Sequence, residues 1–475
     1  MGRCLGGRLA RARGNLTGGA SPMGDRADRP TGMDGLASGC RRLSQRRRGL
    51  GIGDAHTTQR IEGLKQQQVA TMNANAQCPT QLLPKETYYD PAWLDRERRE
   101  LFDQSWLYAC TEAMVPNPGD YHVCNLMGQS LFVVRDSGGS LRAFHNLCRH
   151  RGCEVLEGTG NAGQSIRCPY HRWTYGLEGH LRAVPNEREC FDALPREGLG
   201  LLPASAGAYR GLVFVNPSPS PKDDFSAWIA NLDDHGWPHR FDDGSLEFVG
   251  ESVYEIKCNW KVFYENAIDG YHLGYLHDKT LGQLYPSRNL WELVGRNHVW
   301  YSTEREGPPQ ASPKLIADGA KGHGARMIEG QTEEAFYPGV VMLFPLTTLS
   351  PNPYGFSVST LEPVHSELTN LRVHTWAPPR PGDGRRSDGN GAKSKADKRG
   401  SYILRSEQPV RLADLDGHPL ESGNFQLEDM WIVEKVQRNL HSPHFQVGPM
   451  AQGAGAETPL AEFQRQVLNF VPLPG

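Results

Sequence analysis

Two short segments constrain this chain more than anything else in it. Cys148-Arg149-His150-Arg151-Gly152 is followed, after a seventeen-residue spacer (151–167), by Cys168-Pro169-Tyr170-His171. The pattern is C-x-H, spacer, C-x-x-H. Each half sets one thiolate and one imidazole in a tight loop, so the fold must bring two separate loops together around metal. A [2Fe–2S] cluster with two Cys on one iron and two His on the other needs this distribution of ligands. Neutral imidazoles in place of two anionic thiolates reduce the cluster's negative charge, so it accepts an electron more readily. A Cys₂His₂ zinc site is the competing reading. Zinc fingers usually pair Cys with Cys and His with His, whereas here the types alternate within each half.

A second constellation lies further on. Asn259-Trp260-Lys261-Val262-Phe263-Tyr264-Glu265-Asn266-Ala267-Ile268-Asp269-Gly270-Tyr271-His272 continues to His277, giving D-x-x-H-x4-H. Two imidazoles and a more distant carboxylate make the facial triad of non-haem Fe(II) sites, which leaves positions open for O₂. The segment has helical periodicity from Asn259 to His277. Residues five apart point about 140° away from each other on an ideal helix. The helix must therefore bend or break between His272 and His277, and Gly274 permits this. Asp269 falls one turn before His272, within reach of a hydrogen bond. The third ligand should come from elsewhere. Asp429, in Gln426-Leu427-Glu428-Asp429-Met430-Trp431, opens a helix after a polar loop and is the choice; Glu428 is the runner-up.

The rest of the chain frames these motifs. Its 475 residues suffice for two or three domains, and its 38% hydrophobic content implies that part of it does not fold. The first aromatic residue is Tyr88, and residues 1–50 carry eleven Arg, eleven Gly and three acidic residues. Residues 1–80 therefore read as a disordered extension. An organellar transit peptide, a solvated tail and an upstream start before Met72 compete to explain it. The 51 basic and 54 acidic residues leave a net charge of -3, which points to neither nucleic acid nor an anionic membrane as partner. No apolar run is long enough for a membrane span. Ten scattered cysteines in a long chain suit reduced thiols and metal ligation.

An amphipathic helix is expected over Asp90–Trp106 and a β-meander over 119–145. Leu212–Asn216 reads as a strand, and Pro217-Ser218-Pro219-Ser220-Pro221 marks a boundary. The resulting division is 81–216 and 217–475. In the second part, strands are expected at Leu246–Ile256, Val340–Leu346, Tyr354–Leu361 and Leu371–Trp376. Helices are expected around Leu427–Leu440 and Pro459–Asn469. Residues 303–332 read as a mobile loop and 378–400 as a disordered insertion. The fold class is α+β.

The first motif, continued through Arg172-Trp173-Thr174-Tyr175, resembles the Rieske domain of ring-hydroxylating oxygenases. Asn259-Trp260-Lys261 and the Glu265-Asn266 before Asp269 resemble the same family, as does the segment around Asp429. The resemblance covers about residues 85–475. It implies a small antiparallel β Rieske domain holding the cluster through Cys148, His150, Cys168 and His171. A larger catalytic domain would follow, an antiparallel sheet flanked by helices, with iron on His272, His277 and Asp429. It further implies that a separate reductase, in some members with a ferredoxin, brings electrons from NAD(P)H to the cluster, which relays them to the iron for O₂ activation. The family's head-to-tail homotrimer sets one subunit's cluster beside its neighbour's iron. Asp269 would bridge His272 to a cluster histidine across that boundary, and Asn266 is the further catalytic candidate. A β subunit accompanies some members.

The chain departs from the family pattern at Arg172, where Gly is usual. At Cys153 respiratory Rieske proteins carry a disulfide cysteine. Its partner position is Tyr170, so that disulfide cannot form, and Cys153 is expected to be a small buried residue. The chain has no G-x-G-x-x-G after a strand and no C-x4-C-x2-C, so an external electron donor is expected.

The functional expectation is a terminal oxygenase component acting on a small organic substrate, aromatic by family frequency. The alternative is a monooxygenase of N-methyl or quaternary amines of the choline or carnitine type. In that case Tyr264, Tyr271, Tyr275 and Trp431 are the candidates for an aromatic cage. A Rieske electron carrier and a zinc-binding interaction module are the readings from other classes. The compartment is expected to be the cytoplasm, or an organellar matrix or stroma if residues 1–71 are a transit peptide.

Overall fold

Val133-Val134 and Leu212-Val213-Phe214-Val215 are the kind of β-branched and aromatic runs that pack on a pleated surface, and all are buried. The computed structural model describes residues 81–281, 288–303, 327–331, 337–379, 408–452 and 457–474. The expected disordered stretches at 1–80 and 380–400, and most of the expected loop at 303–332, lie outside the described residues.

Among the described residues the first part of the chain builds two sheets. The larger comprises β1 (Leu107–Thr111), β2 (Asp120–Leu126), β3 (Gln129–Arg135), β4 (Leu141–His145), β5 (Thr159–Asn161), β9 (Pro203–Tyr209) and β10 (Leu212–Asn216). Its strand order is β1-β10-β9-β4-β3-β2-β5, and its pairings are antiparallel. The smaller sheet contains β6 (Ser165–Arg167), β7 (Thr174–Gly176) and β8 (Leu181–Ala183). Between them lies a core of Phe132, Val134, Phe144, Ile166, Trp173 and Tyr175. Both ligand loops open from this core.

The second part is a seven-stranded antiparallel sheet in the order β11-β17-β16-β15-β14-β13-β12. Its strands are β11 (Glu247–Ile256), β12 (Arg288–Val294), β13 (Asn297–Thr303), β14 (Val340–Leu343), β15 (Thr347–Asn352), β16 (Gly355–His365) and β17 (Leu368–Ala377). Successive side chains leave its two faces. Val341, Leu343, Leu349 and Val358 pack with Tyr108 and Phe214 of the first part. Met342, Leu361, Leu371 and Val373 pack against the helices. Those helices are α1 (Pro91–Arg96), α2 (Trp260–Ile268), α3 (Phe425–Leu440) and α4 (Thr458–Phe470).

A buried ionic cluster ties α1 to α2. Glu97 and Lys261 are both fully buried, with Lys261 Nζ 2.6 Å from Glu97 Oε1. Trp93 Nε1 and Trp260 Nε1 donate to the two oxygens of the same carboxylate at 2.9 and 2.7 Å. Burial lowers the Lys261 pKa, and Glu97 opposes that shift.

Two helices differ from the expected ones. The helix expected over Asp90–Trp106 is α1, capped by Asp90, then a wider turn at Glu97–Leu101 and a short 3₁₀ turn at Phe102–Gln104. The widening coincides with Glu97, whose carboxylate is drawn into the core. The helix expected to reach His277 ends at Ile268 instead of bending at Gly274. Asp269 has extended backbone, and its Oδ1 accepts from Tyr271 N at 2.6 Å. That local side-chain bond competes with helix continuation. A 3₁₀ turn, His272–Gly274, then carries the chain to His277.

Two candidate metal centres

The two ligand loops of the first part have matching backbone hydrogen bonds. Cys148 N donates to Cys153 O and Gly152 N to Cys148 O; Cys168 N donates to Trp173 O and Arg172 N to Cys168 O. Gly152 and Arg172 occupy equivalent turn positions with φ of 70° and 61°. A left-handed backbone suits glycine, which gives a physical reason for the family's usual Gly where this chain has Arg172.

Cys148 and Cys168 are buried. His150 Nδ1 and His171 Nδ1 are 3.1 Å apart. The rings are held by stacking: His150 on Trp173 with centroids 4.9 Å apart, His171 on exposed Tyr170 at 3.7 Å. Burial, then the neighbouring His171, lowers the His150 pKa, which favours the neutral form that ligates metal. Burial raises the Cys148 thiol, and Tyr175 opposes this through a 3.2 Å contact of its Oη with Cys148 Sγ. Tyr175 Oη also accepts from Arg149 N at 3.0 Å, so one phenol braces the whole loop. A pair of thiols and a pair of imidazoles facing inward fit a two-iron cluster. Cys153 is half-buried, not enclosed as expected, with its Sγ 3.3 Å from Glu154 O.

Among the described residues, His272, His277 and Asp429 form the one set of three metal-binding side chains whose donor atoms all lie within 4.8 Å of one another. Asp429 Oδ1 is 3.0 Å from His277 Nε2 and 3.6 Å from His272 Nε2, and the two Nε2 atoms are 3.2 Å apart. Asn424 starts α3 by accepting from Gln426 N and Leu427 N, which fixes where Asp429 emerges.

Each donor has a second contact. Asp269 Oδ2 lies 3.1 Å from His272 Nδ1. Glu428 Oε2 lies 2.6 Å from His277 Nδ1 and accepts from Thr280 Oγ1 at 2.6 Å. Asn266 Nδ2 donates to Asp429 Oδ1 at 2.8 Å. Glu428, the alternative third ligand, thus faces the far side of the His277 ring. Sequence reasoning missed the roles of Glu428, Thr280 and Tyr175, since a residue that orients a ligand has no fixed spacing from it.

The charges fit a bound dication. Burial would lower the His272 imidazolium, but bonds to Asp269 and Asp429 outweigh it and lift the pKa to about 10. His277 is raised against burial by Asp429 and Glu428. Burial would raise the Asp429 carboxyl, yet His277 and His272 hold it well below the usual range.

Of the four aromatic residues proposed for a cage, Tyr271 and Tyr275 pair with ring centroids 5.7 Å apart, while Tyr264 and Trp431 pack elsewhere. Tyr271 and Tyr275 are 53% and 73% exposed, whereas Tyr264 is fully buried. Trp431 packs on His418 and Lys435.

Comparisons with known proteins agree with both centres. Residues 105–199 match the Rieske [2Fe-2S] domain, and residues 243–472 match the ring hydroxylating alpha subunit catalytic domain. The glycine betaine monooxygenase oxygenase subunit of Chromohalobacter salexigens is 33% identical over 205 residues, covering 42% of this chain and 44% of that one. The biphenyl 2,3-dioxygenase α subunit of Rhodococcus jostii is 34% identical over 195 residues, covering 40% and 42%. The matched stretch thus spans less than half the length of these curated relatives. Among solved structures, a quaternary ammonium Rieske monooxygenase with an inhibitor bound aligns with a TM-score of 0.61 at 21% identity, covering 84% of this chain and 97% of that one. Naphthalene 1,2-dioxygenase from Rhodococcus aligns at 0.57 and 19% identity, covering 87% and 99%. These structural likenesses show the shared fold. Among the described residues no helix is long and apolar enough to cross a membrane. With a Rieske domain followed by this catalytic domain, the chain belongs to the Rieske non-haem iron oxygenases.

Proposed function

We propose that this protein is the terminal oxygenase component of a multicomponent system and hydroxylates a small organic substrate. The observation that carries the reading is the convergence of His272, His277 and Asp429 in a chain that also has a Rieske domain. Cys148, His150, Cys168 and His171 would hold a [2Fe–2S] cluster, and the triad would hold one Fe(II). When bound, the cluster supplies one-electron transfer and the iron supplies open positions for O₂. The chain's own residues set up that chemistry. Glu428 fixes the His277 tautomer, Asp269 that of His272, and Asn266 holds the Asp429 carboxylate in place.

The division into a Rieske part, 81–216, and a catalytic part, 217–475, belongs to this reading. So do a separate reductase using NAD(P)H, with or without a ferredoxin, and a homotrimer. Tyr170 beside His171, and Tyr271 and Tyr275 beside His272, are exposed and suit burial between subunits. A soluble compartment, such as the cytoplasm, follows for an enzyme of this kind.

An aromatic substrate is the first choice: of the four cage candidates Tyr271 and Tyr275 pair with each other and are exposed, whereas Tyr264 is buried against Phe463 and Trp431 packs on His418 and Lys435. An amine substrate stays in the test, since similarity extends to a betaine monooxygenase. The test is single turnover of the reduced, iron-replete chain under labelled O₂ with aromatic acids and methylated amines. Labelled oxygen in a phenol or ring diol supports the aromatic reading. Formaldehyde release from an amine would overturn it in favour of the amine reading, and no product from any substrate would count against an oxygenase.

A further inference from the structure

Tyr264, Gln466 and His298 are 0%, 3% and 2% exposed. Among the described residues, the Tyr264 hydroxyl, both amide atoms of Gln466 and both ring nitrogens of His298 have no hydrogen-bond partner. Buried polar groups are normally paired, so unpaired ones ask for an occupant.

The three residues border one apolar layer. The Tyr264 ring stacks on Phe463 with centroids 4.2 Å apart. Phe463 and Phe470 lie three residues before and four after Gln466 on α4, so they share its face. Both rings approach Phe344, at 6.2 and 6.0 Å. Phe344 follows two residues after Met342, and Met342 pairs directly across β14 and β13 with His298, which puts their side chains on one face. Ile268 and Met430, the chain neighbours of Asp269 and Asp429, belong to the same buried cluster as Tyr264, Met342, Phe344 and Phe463. That cluster joins α2, α3 and α4 to the sheet face that carries His298.

We propose that Tyr264, Gln466 and His298 form the polar end of the substrate pocket and bind a hydrogen-bond-accepting oxygen of the substrate, a carbonyl or carboxylate. The assignment rests on reading His272, His277 and Asp429 as the iron site. A phenol, a primary amide and an imidazole each offer a donor. Burial lowers the His298 pKa to about 4, so the ring is a neutral donor and acceptor at pH 7. Lys222 Nζ and Arg296 Cζ lie 4.6 and 4.9 Å from the Phe470 centroid, and Asp223 Oδ2 pairs with Arg296 Nε at 2.6 Å. The donors of Tyr264, Gln466 and His298 themselves suit an electron-rich oxygen. A bare hydrocarbon would leave all three groups unpaired.

The test is binding, by calorimetry, of benzoate, benzamide, glycine betaine, toluene and benzylamine to the metal-loaded full chain. Tyr264→Phe, Gln466→Leu and His298→Phe are measured alongside. An oxygen-bearing probe should bind about tenfold or more tighter than toluene and benzylamine. Each substitution should weaken that probe by about tenfold. Each should also raise the Tm of the ligand-free chain, because an unpaired buried group has been removed. A purely structural residue would lose stability instead. Toluene or benzylamine binding as tightly as every oxygen-bearing probe would overturn the proposal. So would a preference for oxygen that survives all three substitutions. Iron content of the same samples reports on the iron reading separately. Loss of the binding preference in an iron-replete chain removes only the pocket, whereas an iron-free chain with the preference intact removes only the oxygenase.

Discussion

Asn266 Nδ2 lies 2.8 Å from Asp429 Oδ1, the same oxygen that approaches His277 Nε2 at 3.0 Å. One amide on α2 therefore sets the direction of a carboxylate on α3. Asn266→Ala should leave the fold intact and reduce Fe(II) affinity by roughly 10–100-fold, the usual effect of losing a group that orients a ligand. Metal titration of the chelated protein checks this. Unchanged affinity would mean that Asp429 is held by α3 alone.

Asp269 Oδ2 lies 3.1 Å from His272 Nδ1, and Asp269 Oδ1 accepts from the backbone N–H of exposed Tyr271. Asp269→Asn should retain iron and cluster but lower coupled turnover by roughly 10–100-fold or more, because the bridging carboxylate is lost. Iron content, cluster absorbance and product per electron are measured together. Normal product yield in the fully metallated variant would refute the bridge.

Glu97→Ala would strand Lys261 as a buried cation without a partner. Breaking one side of a buried pair costs about 3–5 kcal/mol. The midpoint of chemical denaturation should fall accordingly, while Glu97→Ala combined with Lys261→Met should recover much of the loss. A small effect of the single substitution would show that α1 can relax and admit water to the ammonium.

Arg172 holds a left-handed backbone beside the cluster loop. That conformation costs a non-glycine residue about 1–2 kcal/mol, partly offset by the greater freedom of glycine in the unfolded chain. Arg172→Gly should therefore raise stability slightly, by up to about 1 kcal/mol. Thermal loss of cluster absorbance checks it. A clear drop would show that the Arg172 side chain holds the loop.

Much of both centres was legible because ligand chemistry fixes spacing. C-x-H with C-x-x-H is a pattern that structural packing alone has little reason to produce, whereas His272 with His277 gains its meaning from that motif and from Asn259-Trp260-Lys261 and Glu265-Asn266 before it. The route of the backbone between them was less legible. Periodicity ran through Asp269, but the side-chain bond to Tyr271 N ended α2 there, and periodicity does not register that competition. β12 and β13 are hardly legible in the sequence, since Asn289, Asn297 and His298 interrupt their apolar pattern. Glu428 shows a third limit. Its neighbour Asp429 has the same chemistry, and only tertiary packing separates the two by sending one to each side of the His277 ring.

The most direct test is iron and acid-labile sulfide per chain in protein purified anaerobically with iron supplied, read with electron paramagnetic resonance. About three irons and two sulfides are expected, with a reduced Rieske signal and a separate mononuclear iron. About two irons with two sulfides would contradict the oxygenase and leave an electron carrier; zinc without sulfide would contradict both centres.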